Sequence, residues 1–179
     1  RLARLQRRLR APALGDVLVE HGEAVAARRV HVDQQPAPQW RELVLDAPRP
    51  LRTTFTVGAG EPAKMADDAI AYREAQSIKI KLTGDLDLDV ARVNAIRAAR
   101  PDVWLGVDAN QGFARRDLDR LVAAMVAANV SLIEQPLARG SEADLDGYDA
   151  PIPLAADESA LTLDDVAGLK GRVDVFNIK

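Results

Sequence analysis

From Leu51 onward, hydrophobic and polar positions follow two periods in alternation. Six short runs, "LRTTFTV" (51–57), "SIKIKL" (77–82), "VWLGVD" (103–108), "VSLIEQP" (130–136), "IPLAADES" (152–159) and "VDVFNIK" (173–179), predict strands. Between them lie segments with helical spacing. "EPAKMADDAIAYREAQ" (61–76) has an early Pro62 and apolar Met65, Ala69, Ile70 and Tyr72. "DLDLDVARVNAIRAAR" (85–100) places Val90, Val93, Ala95 and Ile96 on or near one stripe, and Pro101 stops it. "ARRDLDRLVAAMVAAN" (114–129) buries Leu118, Leu121, Val122, Met125 and Val126. "EADLDGY" (142–148) reads as a short helix or turn. "TLDDVAGLK" (162–170) reads as a helix capped by Thr162.

This strand–helix alternation predicts parallel βα units, in an open doubly wound sheet or in part of a (β/α)8 barrel. No glycine-rich phosphate loop follows a strand, and "TVGAG" after the first is too short for a dinucleotide fingerprint. That weighs against a dinucleotide-binding sheet. Residues 1–47 carry no sustained period, and "RLARLQRRLR" reads as a short basic helix or a solvated segment.

Composition sharpens that division. Residues 1–50 hold nine Arg, no Lys and six acids, a balance of +3, with both histidines and half of the ten prolines. The remainder holds 15 Lys and Arg against 21 acids, a balance of −6. The net charge of −3 gives no general attraction to nucleic acid or to an anionic membrane. Without cysteine there are no disulfides or thiolate metal sites. No run is long and apolar enough to span a bilayer, and the default expectation is a cytoplasmic protein.

The predicted strands after the first share one feature. Each ends in an ionisable residue: Lys81, Asp108, Glu134, Asp157 and Lys179, separated by 27, 26, 23 and 22 residues. Taken singly, each has a commonplace reading. An acid at a strand end is usually a cap or loop residue, and Lys79 with Lys81 would suit an exposed edge strand. The ordered recurrence in five successive units argues otherwise. In a barrel the C-terminal strand ends converge on one mouth, where active sites lie. Three carboxylates without His or Cys suit a hard divalent ion, Mg²⁺ above all. A carboxylate-bearing substrate chelating that ion would lie between Lys81 and Lys179. One lysine would remove the proton α to the carboxylate and the other would return a proton to the opposite face. The metal would stabilise the dianionic enediolate between the two steps. Asn110 is expected to hydrogen-bond beside the site rather than to ligate, and the role of Gln135 stays open.

The motifs "KIK", "VDAN", "IEQP", "ADES" and "NIK", in this order and spacing, resemble the enolase superfamily, muconate-lactonizing subgroup. "TTFTVG" and "FNIK" are most similar to the dipeptide epimerases, of the L-Ala-D/L-Glu type. The resemblance covers roughly residues 48–179. It implies that Lys81 and Lys179 are an opposed acid/base pair and that Asp108, Glu134 and Asp157 are Mg²⁺ ligands. It further implies that Lys79 and Thr56 contact substrate. A second ammonium and a divalent cation would both disfavour the charged form of Lys81, as a lysine base requires. The implied function is Mg²⁺-dependent epimerisation of dipeptides, and the full-length family member would be a possible homo-oligomer. N-acylamino-acid racemases, o-succinylbenzoate synthases and muconate cycloisomerases are similar through this stretch and remain alternatives.

The family pairs a capping domain with a (β/α)7β barrel. The expectation here is an incomplete TIM-type barrel of about six strands, over 48–179, without the last strands. Residues 1–47 would be a remnant or mis-read capping domain, genuine or frame-shifted. A non-enzymatic alternative follows: an inactive fragment exposing sheet edges and apolar surface.

Overall fold

In the computed structural model, which describes residues 53–177, Ile78 and Ile80 are wholly buried, while Lys79 and Lys81 between them keep partial exposure. The alternation in "SIKIKL" therefore is that of a strand, β2 (Ser77–Lys81), with its aliphatic face packed inward against helices. The same logic sets β1 (Phe55–Val57), β3 (Trp104–Asp108), β4 (Leu132–Glu134), β5 (Leu154–Ala156) and β6 (Val175–Phe176). The helices are α1 (Pro62–Ala71), α2 (Leu86–Ala99), α3 (Arg115–Ala127) and α4 (Leu163–Gly168), with a 3₁₀ turn at Glu142–Leu145. The chain divides after Leu51 into two units, and the described residues belong to the second, Arg52–Lys179.

All neighbouring strands pair in parallel, in the order β1-β2-β3-β4-β5-β6. A doubly wound sheet reverses its strand order part-way, whereas a (β/α) barrel does not. Of the two architectures the periodicity allowed, the sheet therefore has the barrel's order. On one face of the sheet the strand residues Ile78, Ile80, Leu105, Val107, Ile133 and Leu154 form one core with Met65, Val93, Ile96, Leu118, Leu121 and Met125 of the helices. Each such side chain contributes about 1.5–3 kcal/mol by leaving water.

Local chemistry fixes the element ends. Pro62 opens α1 at a position needing no N–H donor. Asp85 caps α2 by accepting from the Leu88 N–H. Thr162 and Asp165 form a reciprocal capping box on α4, as the sequence predicts for Thr162. Asn129, with φ of 54°, turns the chain out of α3.

Several details differ from the sequence reading. Val126, placed on a buried stripe by spacing, is 47% exposed, as is Ile70 of α1. In α2 the inward face carries Asp89 and Arg92 beside Val93 and Ile96, whereas Val90 is only half-buried. This charged pair is possible because its groups satisfy one another and the loops above them. The sixth strand is two residues long. The expected segment 1–47 and Lys179 lie outside the described residues. Among the described residues, no helix is long and apolar enough to cross a membrane.

Candidate functional site

Parallel pairing in sequence order brings the C-terminal ends of successive strands to one edge of the sheet. Register aligns them further. Thr56 is opposite Lys79, Lys81 opposite Asp108, Asp108 opposite Glu134, and Glu134 opposite Ala155. Asp157 stands two residues after Ala155, one step beyond the end of β5. Lys81, Asp108 and Glu134 thus share one register line at the strand ends, with Asp157 adjoining it and with Thr56 and Lys79 on the same-facing line before it.

The side chains draw four of these together. Lys79 Nζ lies 3.1 Å from Asp108 Oδ2 and 3.0 Å from Glu134 Oε2, so its ammonium sits between the two carboxylates. Lys81 Nζ lies 3.5 Å from the same Asp108 oxygen and donates to Asn110 Oδ1 at 3.3 Å. Asn110 in turn donates its backbone N–H to Asp108 Oδ1 at 3.2 Å. Both carboxylates are buried, Asp108 at 2% and Glu134 at 5% exposure. Burial pulls the Lys79 pKa down, but its hydrogen bond to Glu134 and the charges of Asp108 and Glu134 outweigh that, and the net shift is upward. Lys79 is therefore a fixed cation. Lys81 has the freer side chain, 45% exposed against 24% for Lys79.

The β3 and β4 ends are shaped for this display. Asn110, Gln111 and Gln135 all have positive φ (46°, 64° and 42°); Gln135 directly follows Glu134, while Asn110 and Gln111 come after Ala109 beyond Asp108. These left-handed residues turn the chain away while the carboxylates stay at the end of the sheet. The loops after β2 and β3 touch through glycines: a Cβ on Gly84 would lie 2.5 Å from the Gly112 carbonyl oxygen.

Asn177, which sequence reasoning did not single out, donates from Nδ2 to Glu134 Oε1 at 3.1 Å. The signal was present, because it stands two residues before Lys179 in "FNIK" and shares that strand parity. Asp89 and Arg92 were also missed as a pair: i,i+3 spacing allows them to meet on one helix face but does not say that this face is buried. Thr56 is half-buried on β1, beside Lys79 in register. Asp157 is buried at the same end of the sheet, but no three carboxylate or imidazole groups converge on one point among the described residues.

The donor set is all oxygen, and two of its carboxylates already hold a cationic group between them. That suits a hard divalent cation more than zinc or copper. Lys79 and Lys81 beside these carboxylates add the positive charge that a carboxylate-bearing ligand would need.

Comparison with known proteins agrees with that arrangement. Residues 62–179 match the family model described as "Enolase C-terminal domain-like". The chain is 41% identical to an N-acetyl-D-glutamate racemase of Pseudoalteromonas sp over 124 residues, 69% of this chain and 39% of the relative. It is 36% identical to the L-Ala-D/L-Glu epimerase of Escherichia coli K12 over 132 residues, 74% of this chain and 41% of the relative. Among solved structures, a dipeptide epimerase from Cytophaga hutchinsonii, complexed with Mg and the dipeptide D-Ala-L-Val, superposes with a TM-score of 0.73 at 31% identity. That match covers 78% of this chain and 40% of the other. The chain spans about two fifths of the length of the curated relatives it matches. A parallel sheet in barrel order, a row of strand-end carboxylates and lysines, and a family match over 62–179 place the chain in the enolase C-terminal domain-like family.

Proposed function

We propose that this chain supplies the acid/base lysines and metal-binding carboxylates of an epimerase acting on dipeptides of the Ala-Glu type. The observation that carries the reading is the cluster of Lys79, Lys81, Asp108 and Glu134 at adjoining strand ends, with Asp157 next in line. It is supported by the Mg- and dipeptide-bound structure of the Cytophaga relative and by the named activity of the Escherichia coli relative.

In this reading Asp108, Glu134 and Asp157 hold Mg²⁺. When bound, the ion supplies positive charge against the substrate carboxylate as negative charge develops on it. Lys79, already held as a cation by two carboxylates, contacts the substrate carboxylate, and Thr56 contacts substrate from β1. Asn110 orients Lys81 through its 3.3 Å hydrogen bond. Lys81 takes the proton from the α-carbon: the C–H bond breaks, its electron pair moves toward the carboxylate, and an N–H bond forms. Lys179 then returns a proton to the opposite face, forming a new C–H bond of inverted configuration. The reverse reaction exchanges the two roles, and no net proton or electron is consumed.

The Pseudoalteromonas relative favours a second reading on the same residues, racemisation of N-acylamino acids. The two substrate types share an α-carboxylate and an acylated α-nitrogen, so one proton-transfer site would serve both. Polarimetry with Mg²⁺ and either L-Ala-L-Glu or N-acetyl-D-glutamate separates them. A changing rotation with the dipeptide alone supports the epimerase. A response to the acetylated amino acid alone supports the racemase, and no Mg²⁺-dependent change with either removes both.

A further inference from the structure

Gln135 directly follows Glu134, is 5% exposed and uses its whole side-chain amide. Its Oε1 accepts from the backbone N–H groups of Asp157 (3.0 Å) and Ser159 (3.1 Å). Its Nε2 donates to the Leu137 carbonyl and to Ser159 Oγ, both at 2.8 Å. Ser159 Oγ donates onward to Glu142 Oε1 at 2.5 Å, and both Glu142 oxygens accept from the Gly140 N–H at 2.9 Å. One relay, buried around Gln135 and reaching the surface at Glu142, therefore joins the end of β4, the loop after β5 and the 3₁₀ turn.

The reason for the relay lies in how the β4–β5 ladder stops. Gln135 N–H still donates to the Ala155 carbonyl, as a parallel ladder requires. The next rung would take the Asp157 N–H to the Gln135 carbonyl. At φ of 42° that carbonyl faces β3 instead, where it accepts from the Gln111 N–H at 2.8 Å. The side-chain oxygen of Gln135 stands in for its own backbone oxygen and holds the Asp157 amide. Glu134 and Asp157 are thereby tied through a single residue. An amide is needed, since a carboxylate in its place would have no proton for Leu137 O or Ser159 Oγ.

We infer that Gln135 is the positioning residue for Asp157, setting where the third carboxylate is presented beside Glu134 and hence how tightly a divalent cation is held. The inference rests on the metal-site reading above. Its test is Mn²⁺ binding by electron paramagnetic resonance on the full chain, comparing wild type, Gln135→Met, Ser159→Ala, Asp157→Asn and the double variants with Asp157→Asn. Gln135→Met is expected to weaken Mn²⁺ binding about 10- to 100-fold, the range typical when a group supporting a metal ligand is lost. Ser159→Ala, which keeps both Oε1 contacts, is expected to weaken it at least about threefold. Neither loss should add to that of Asp157→Asn, because both act through Asp157. Binding within twofold of wild type, or losses that add fully to Asp157→Asn, would overturn the inference. If Gln135→Met does not fold by circular dichroism, Ser159→Ala decides by the same two criteria. A wild-type chain that binds no Mn²⁺ overturns the metal-site reading itself, and this inference with it.

Discussion

Replacing Asp89 by Asn tests whether the loops at the mouth are held by a buried charge pair. Asp89 is fully buried in α2, yet its carboxylate is saturated. It accepts from the Thr83 N–H at 3.1 and 2.9 Å, from the Gly84 N–H at 2.9 Å and from Thr83 Oγ1 at 3.2 Å. It also pairs with Arg92 at 2.7 Å. Arg92 reaches further, donating from Nε to the Gly60 carbonyl at 2.8 Å. The pair therefore fastens the loop after β1 to the loop after β2, whose Thr83 stands two residues after Lys81. Asparagine keeps the shape but points an NH₂ group at other donors and leaves the Arg92 charge uncompensated. Breaking one side of a buried ion pair costs about 3–5 kcal/mol. For a chain of this length that is roughly 10 °C in midpoint temperature. Urea unfolding followed by circular dichroism should show the midpoint fall with an unchanged slope. Many buried ion pairs can be replaced by apolar residues at little cost, but this one should not be. Asp89→Leu with Arg92→Met would orphan the Thr83 and Gly84 N–H groups and should remain destabilised. A single variant within 1 kcal/mol of wild type, or a stable double variant, would refute the reasoning.

Two further outcomes follow from geometry elsewhere. Gly84 has φ of 90°, and a methyl group there would meet Gly112 O at 2.5 Å; Gly84→Ala should cost about 2–4 kcal/mol in thermal unfolding, and an unchanged midpoint would show that the two loops do not dock as described. A hydrogen bond from Arg100 holds the Asp102 pKa at about 2, against an ordinary 3.8. Because the folded value is the lower one, the pairing stabilises the fold above pH 3.8 and is lost as pH falls toward 2. A carboxyl NMR titration should follow Asp102 at about 2 in wild type and nearer 3.8 in Arg100→Gln; coincident curves would exclude the pairing.

The sequence carried the sheet well because its signal is local. "SIKIKL" alternates, α2 and α3 are bounded by Asp85, Pro101 and Asn129, and one βα unit follows another, so parallel order was readable residue by residue. The strand-end row was legible for the same reason, since parity and spacing put Lys81, Asp108 and Glu134 at successive ends. Asp157 was placed at the end of its run and lies just past β5. What escaped was tertiary. Spacing cannot say that Val126 faces solvent or that Asp89 and Arg92 face inward, because a charge on an apolar stripe is tolerated only when distant backbone groups such as Gly60 O complete it. Nor could periodicity show that the Gln135 side chain replaces a ladder carbonyl, which depends on a positive φ. Lys179 and the segment 1–47 lie outside the described residues, so their expected roles stand as proposals.

The most direct measurement is ¹H NMR of L-Ala-L-Glu incubated with the protein and Mg²⁺ in D₂O. Proton transfer at the carbon next to the free carboxylate predicts that the α-proton resonance of the Glu residue disappears while that of Ala persists. It predicts further that the loss requires Mg²⁺ and stops in Lys81→Ala. A Glu α-proton that survives in the Mg²⁺-saturated protein, or exchange that continues without Lys81, would contradict the account.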